Sequence, residues 1–125
     1  MPNITKLDKV FSEYIRRRDA DEYGRVKCCT CDAVQHWAEM DCGHFVVRGN
    51  MSTRSDERDS AAQCKYCNRV DLGRYELHRE YINERYGPGT AEELERLGKT
   101  EVHFMQYEID QMTQDYKDKI KALES

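Results

Sequence analysis

The chain has 125 residues, enough for one domain or a small core with a helical appendage. It contains no run near the roughly 18 apolar residues of a membrane span, and residues 1–18 lack the apolar stretch of a signal peptide, so a cytoplasmic protein is expected. Hydrophobic residues make up 38% and charged residues 35%; the net charge of −4 is unevenly held, with 12 Lys/Arg against 11 Asp/Glu in residues 1–70 and 8 against 13 in residues 71–125.

Leu7, Val10, Phe11, Tyr14 and Ile15 recur at helical spacing, predicting a helix from Ile4 to Arg18 with Asn3 or Thr5 as its cap. Val26–Val47 is rich in Cys, Val, Trp and Phe, which suits short hairpin strands around a knuckle, and Gly49–Ser60 reads as a polar loop. A helix with an imperfect stripe (Leu72, Tyr75, Tyr81, Ile82) is expected over Asn68–Tyr86, weakened by Gly73, and Gly87-Pro88-Gly89 breaks the chain. Thr90 and Glu93 spell a capping box for a short helix that Gly98 closes. The last helix carries Val102, Met105, Ile109, Met112, Tyr116 and Leu123. That stripe suits either a helix laid back on its own domain or the seam of a homodimer. Three regions follow: an N-terminal helix (1–24), a stapled core (25–86) and a helical extension (87–125).

Cys28-x-x-Cys31 and Cys64-x-x-Cys67 are chelating pairs separated by 32 residues. Two such turns supply the four sulfurs of a tetrahedral structural zinc site, with backbone N–H groups supporting the sulfurs; two disulfides are the alternative, disfavoured in a cytoplasmic chain. Cys29 and Cys42 are left over. Cys42 beside His44 is better read as a small buried residue than as a nucleophile. His36 and Trp37 are expected to pack against the zinc site, and His78 and His103 to lie on the surface.

Zinc would bring the two knuckles together, making the strand with His44 a neighbour of the helix start with Asn68. Asp41 would face away from His44 on a regular strand, so a bulge at Gly43 is expected to bring them to one side. A carboxylate and an amide oxygen suit Mg²⁺ or Mn²⁺, and His44 suits a general base acting on water. Arg48, Arg54, Arg58, Lys65 and Arg69 surround this point as expected phosphate contacts, with Arg16 to Arg18 nearby.

The order Cys-x-x-Cys, Asp41-x-Gly43-His44-Phe45 and Cys64-x-x-Cys67-Asn68, followed by a helix, resembles HNH-type nucleases. More closely, the chain is similar to the bacteriophage NinG (Rap) recombination proteins. The likeness runs from Leu7-Asp-Lys-Val-Phe through His36-Trp37, Thr53-Arg54 and Asp56-Glu57-Arg58 to Tyr86-Gly-x-Gly-Thr-Ala-Glu-Glu-Leu94, about three-quarters of the chain. Phage endonuclease VII is a more distant relative with the same zinc-knuckle logic.

The resemblance implies an α+β fold with a zinc-stapled ββα-metal (HNH, or His-Me finger) core, flanking helices and a long C-terminal helix. It implies an endodeoxyribonuclease in the host cytoplasm, acting on branched DNA such as Holliday junctions and D-loops. By position, His44 matches the general base and Asn68 an ion-binding residue. Asp41, with Glu39 behind it, stands in for the second ion ligand, which in many relatives directly precedes the base, where this chain has Gly43. The middle Asn of the motif, which braces the loop before the helix, falls near Asp59. A non-catalytic zinc module that binds DNA or a recombination partner is the alternative.

Overall fold

A computed structural model describes residues 2–125, which form five α-helices and four short strands. No helix among them is long and apolar enough to cross a membrane. Helix α1 (Thr5–Arg17) buries Leu7, Phe11 and Ile15, one residue per turn on a single face. The N-cap position falls on Ile4, not on Asn3 or Thr5, although Asn3 Oδ1 accepts a hydrogen bond from the Thr5 N–H at 2.9 Å just ahead of the first turn. The last helix, α5 (Gln106–Leu123), lies along α1, with Ile109 and Tyr116 in the same apolar cluster as Phe11. The stripe considered for a dimer seam is therefore partly used within the chain, while Met105 and Leu123 stay exposed.

The strands form two separate antiparallel hairpins, β1 (Arg25–Lys27) with β2 (Val34–His36) and β3 (Asp41–His44) with β4 (Ser60–Gln63). Pairing in the second is one-to-one, from Asp41 opposite Gln63 to His44 opposite Ser60, so the bulge expected at Gly43 does not form. Gly43 serves a close approach instead. A Cβ there would run into the Gln63 side chain, whose Nε2 donates to Thr30 Oγ1 at 2.9 Å and to the Gly73 carbonyl at 2.8 Å. Gln63 thus ties β4 to the first knuckle and to the segment after the second.

Three other expectations change. The supposed loop over Gly49–Ser60 contains a one-turn helix, α2 (Met51–Arg54), and a 3₁₀ turn over Glu57–Asp59. Distant contacts hold them: Thr53 is fully buried, Ser52 Oγ donates to the Leu97 carbonyl, and the Arg18 guanidinium donates to the Glu57 and Ser60 carbonyls. The helix expected from Asn68 is divided: a π turn spans Tyr66–Val70, Leu72, Gly73 and Arg74 all adopt positive φ, and α3 begins at Tyr75 and runs to Tyr86. Helix α4 (Thr90–Gly98) forms as predicted, but not through a capping box, since Thr90 Oγ1 donates to the Gly87 carbonyl. Both α3 and α4 close over Phe45, through Ile82, Ala91 and Leu94.

Asp59 joins these pieces. Its backbone carbonyl accepts from Phe45 N–H at 2.8 Å and its Oδ1 accepts from Val46 N–H at 2.9 Å, which fixes the chain just beyond His44. Oδ2 is buried without a partner. Burial pushes this carboxyl up to about 8 from the ordinary 3.8. The folded state therefore holds a proton that the unfolded chain loses above about pH 4, and stability conferred by the neutral carboxyl is lost as pH rises towards 8. Asp59→Asn keeps the acceptor and removes the titration. Its melting temperature should gain on the wild type by several degrees between pH 5 and pH 8, about 1.4 kcal/mol per pH unit at most, measured with zinc saturating in both proteins.

Candidate functional site: a four-cysteine centre beside a His/Asp/Asn cleft

The turn after β1 carries Cys28 and Cys31, and the turn after β4 carries Cys64 and Cys67; all four sulfurs lie within 4.8 Å of one another. The Cys31 and Cys64 sulfurs are 3.7 Å apart. Four sulfurs at about 2.3 Å from a tetrahedral zinc ion are separated by about 3.8 Å, a spacing that the Cys31–Cys64 pair matches and that the whole set can close to. Backbone N–H groups point at the sulfurs: Cys64 N and Thr30 N at Cys28, Ala33 N at Cys31, and Cys67 N at Cys64. A hydrogen bond from Cys29, together with those from the Cys64 and Thr30 amides, draws the Cys28 thiol far below its ordinary value despite burial. All six cysteines are free, and the four form a set that can hold zinc.

Asn68 follows Cys67 directly, and the π turn aims it back at β3. Its Nδ2 donates to Asp41 Oδ2 at 2.9 Å, the neighbour relation that the cysteine spacing predicts. Asp41, His44 and Asn68 line one cleft of about 510 Å³, together with Asp8 and Phe11 of α1 and with Arg48 and Arg69. Without a bulge, Cys42 and His44 point to the α1 side of β3; Asp41, at the strand's first position, turns its carboxylate to the Asn68–Arg69 turn. Glu39 is exposed in a 3₁₀ turn and does not line the cleft.

His44 is partly buried, its ring 6.1 Å from Phe11, and its Nε2 lies 3.0 Å from the Arg54 carbonyl oxygen. A carbonyl only accepts, so Nε2 carries the hydrogen and Nδ1 is left with a free lone pair. Burial, partly offset by that hydrogen bond, holds the imidazole below its ordinary 6.5, neutral at pH 7. Asp41 lies below the usual carboxylate range because hydrogen bonds from Arg69 and Asn68 outweigh its desolvation.

The expected phosphate contacts are mostly engaged by carboxylates. Arg54 grips Asp8 with Nε at 2.9 Å and Nη2 at 2.6 Å, and Arg48 reaches the same carboxylate at 3.0 Å. Arg58 pairs with Asp56 and Glu93 outside the cleft, and Arg69 forks onto both oxygens of Asp41 at 2.8 and 2.9 Å. Lys65 is exposed and makes no ion pair among the described residues. Arg18 is a buried brace, whereas Arg16 and Arg17 lie over the Trp37 ring at 5.3 and 5.0 Å.

Trp37 packs against the four-cysteine cluster as expected, but His36 is exposed and accepts from the Ala38 N–H to cap its turn. His78 is the opposite case: expected on the surface, it is 1% exposed under Phe45, where burial depresses it to about 4. Burial pushes Cys42 up to about 12, which leaves it inert as a nucleophile at neutral pH. The residue that sequence reasoning missed is Asp8. Its partners lie 40 and 46 positions away, beyond the reach of any local spacing rule.

Because the cysteine centre joins the two hairpins, ion removal should unfold rather than merely soften the chain. Strong chelation should lower the melting temperature by more than 10 °C, and Cys67→Ser should behave like the chelated wild type. An unchanged melt would mean that the cysteines hold no ion.

Comparisons with curated proteins and with solved structures returned no match. The family description "Bacteriophage Lambda NinG protein" matches residues 3–125, covering both cysteine pairs, the cleft and the C-terminal helix. The chain belongs to the bacteriophage lambda NinG family.

Proposed function

We propose that the chain is an HNH-type endonuclease that hydrolyses phosphodiester bonds in branched recombination intermediates, Holliday junctions and D-loops. In this reading β3, β4 and the turn carrying Asn68 form the ββα-metal core. Membership of the NinG family supports a role in phage recombination. The observation that carries the nuclease reading is the pairing of two features in one cleft: an imidazole whose Nε2 faces a carbonyl at 3.0 Å, and an Asp41–Asn68 contact of 2.9 Å. A module that only binds DNA has no need of a base with a free lone pair beside a hard-oxygen pair.

The residues divide the work as follows. His44 Nδ1 takes a proton from a water molecule as its oxygen attacks the phosphorus. The bond from phosphorus to the 3′ oxygen breaks and that oxygen takes a proton from solvent, leaving a 5′ phosphate and a 3′ hydroxyl, while His44 returns its own proton to solvent. Asp41 and Asn68 would hold a divalent ion, Mg²⁺ or Mn²⁺, which supplies charge stabilisation at the phosphate and leaving oxygen. The donor chemistry fits, with two adjustments: the Asn68 amide turns to present Oδ1, and Arg69 releases the Asp41 carboxylate. Once released, Arg69 is placed to meet the phosphate, with Lys65 beside it. The same fork favours the second reading, a silent zinc module, because it commits both Asp41 oxygens.

The deciding assay is strand cleavage of a labelled four-way junction and a matched linear duplex, with and without Mg²⁺ or Mn²⁺. Ion-dependent cutting of the junction is expected, and His44→Ala should lose about 100-fold or more with binding intact. The wild-type rate should be level above pH 6.5 and fall about ten-fold per unit below the depressed pKa of His44, since only the neutral imidazole accepts the proton. Tight junction binding without cutting under either ion would establish the silent module. Arg69→Ala should tighten Mn²⁺ binding to the DNA-free protein several-fold, read from water relaxation, whereas Asp41→Ala should abolish it.

A further inference from the structure

We propose that Asp8, on the N-terminal helix α1, is a positioning residue that fixes the His44 ring through Arg54. The inference rests on the reading of His44 as the base. Arg54 connects the two because it acts with both of its ends. Its guanidinium donates from Nε and Nη2 to the two Asp8 oxygens, at 2.9 and 2.6 Å, and from Nη1 to the Arg48 carbonyl at 3.1 Å. Its own carbonyl is the group facing His44 Nε2 at 3.0 Å. Wherever Arg54 is held, the imidazole's partner is held too.

The segment needs such a hold. Helix α2 is a single turn of four residues, too short to keep its shape unaided, and Arg54 is its last residue. α1 is a 13-residue helix anchored by Leu7, Phe11 and Ile15, so a bidentate fork to it transfers that rigidity to the turn. The fork is also shielded: the Asp8 and Arg54 side chains are 19% and 16% exposed, unlike the open Arg69–Asp41 pair, where Arg69 is 63% exposed. Phe11, one turn beyond Asp8, packs against the imidazole with ring centroids 6.1 Å apart. One helix therefore controls where the ring sits and which nitrogen carries its hydrogen. An arginine–carboxylate fork is planar and directional, so a lysine at 54 would keep the charge and lose the geometry.

The test reads the ring directly, without DNA or divalent ion. Nitrogen-15 NMR of the zinc-loaded protein should show a single His44 tautomer, hydrogen on Nε2, in the wild type. Asp8→Ala and Arg54→Lys should give a mixture with hydrogen on Nδ1, with faster solvent exchange of the Nε2 hydrogen; Asp8→Asn, which keeps one acceptor, should fall between. Junction cleavage should then show kcat lower by about ten-fold or more at unchanged KM. An unaltered tautomer and exchange rate in Asp8→Ala and Asp8→Asn would overturn the proposal, as would a mixed tautomer in the wild type. If the wild type cuts no DNA, the nuclease reading fails while the ring measurement still decides this one. Should Asp8→Ala not fold, Asp8→Asn and Arg54→Lys carry the same comparison.

Discussion

The convergence of Cys28, Cys31, Cys64 and Cys67 is the constraint on which the rest of the molecule depends. The apolar core is divided into three clusters, each of four to six buried residues, and no single one spans the chain. The cysteines sit where the two hairpins meet, in the cluster with Val26, Met40 and Ala62. Thiolates need a counter-charge when drawn this close, and an ion that supplies it also ties β1–β2 to β3–β4. That tie sets the register of everything downstream. Cys67 fixes the π turn, the π turn aims Asn68 and Arg69 at Asp41, and Gln63 pins the left-handed segment that follows.

Around this knot the molecule balances its charge internally. Two carboxylates line the cleft, Asp8 and Asp41, with the guanidinium groups of Arg48 and Arg69 beside them, and each carboxylate is forked by an arginine, Asp8 by Arg54 from outside the lining and Asp41 by Arg69. On the proposed reading the two forks have different fates. The shielded Asp8–Arg54 pair is architecture, since parting buried partners leaves an uncompensated charge. The open Arg69–Asp41 pair is exchangeable, because water can take up either partner. A site with its carboxylate already neutralised avoids acidic repulsion of the DNA backbone until an ion and a phosphate arrive together.

Helices α1 and α5 are legible in the sequence because their apolar positions repeat at helical spacing, α4 because Thr90 and Gly98 mark its ends, and the four-cysteine set because short chelating turns are a local pattern. The nearness of Asn68 to Asp41 followed from that set. What escaped reading depends on distant partners. Nothing near Met51–Arg54 announces a helical turn, since its holds are Leu97, Asp8 and the burial of Thr53. The delayed start of α3 at Tyr75 comes from left-handed Leu72 and Arg74, which carry no glycine signal of their own. Gly43 makes room for Gln63 rather than for a bulge, and the distance of His78 from Asn68 along the helix excludes it from the ion site without revealing its cover, Phe45, 33 positions away. Asp59 can brace the chain beyond His44 because burial raises its carboxyl and favours the protonated form.

The most direct test of the account is X-ray absorption at the zinc edge on the protein as purified, with metal content measured in parallel. The account predicts one zinc per chain, with four sulfur neighbours at about 2.3 Å and no nitrogen or oxygen ligand. A protein free of zinc yet fully folded, or a zinc shell containing an imidazole or carboxylate, would contradict it.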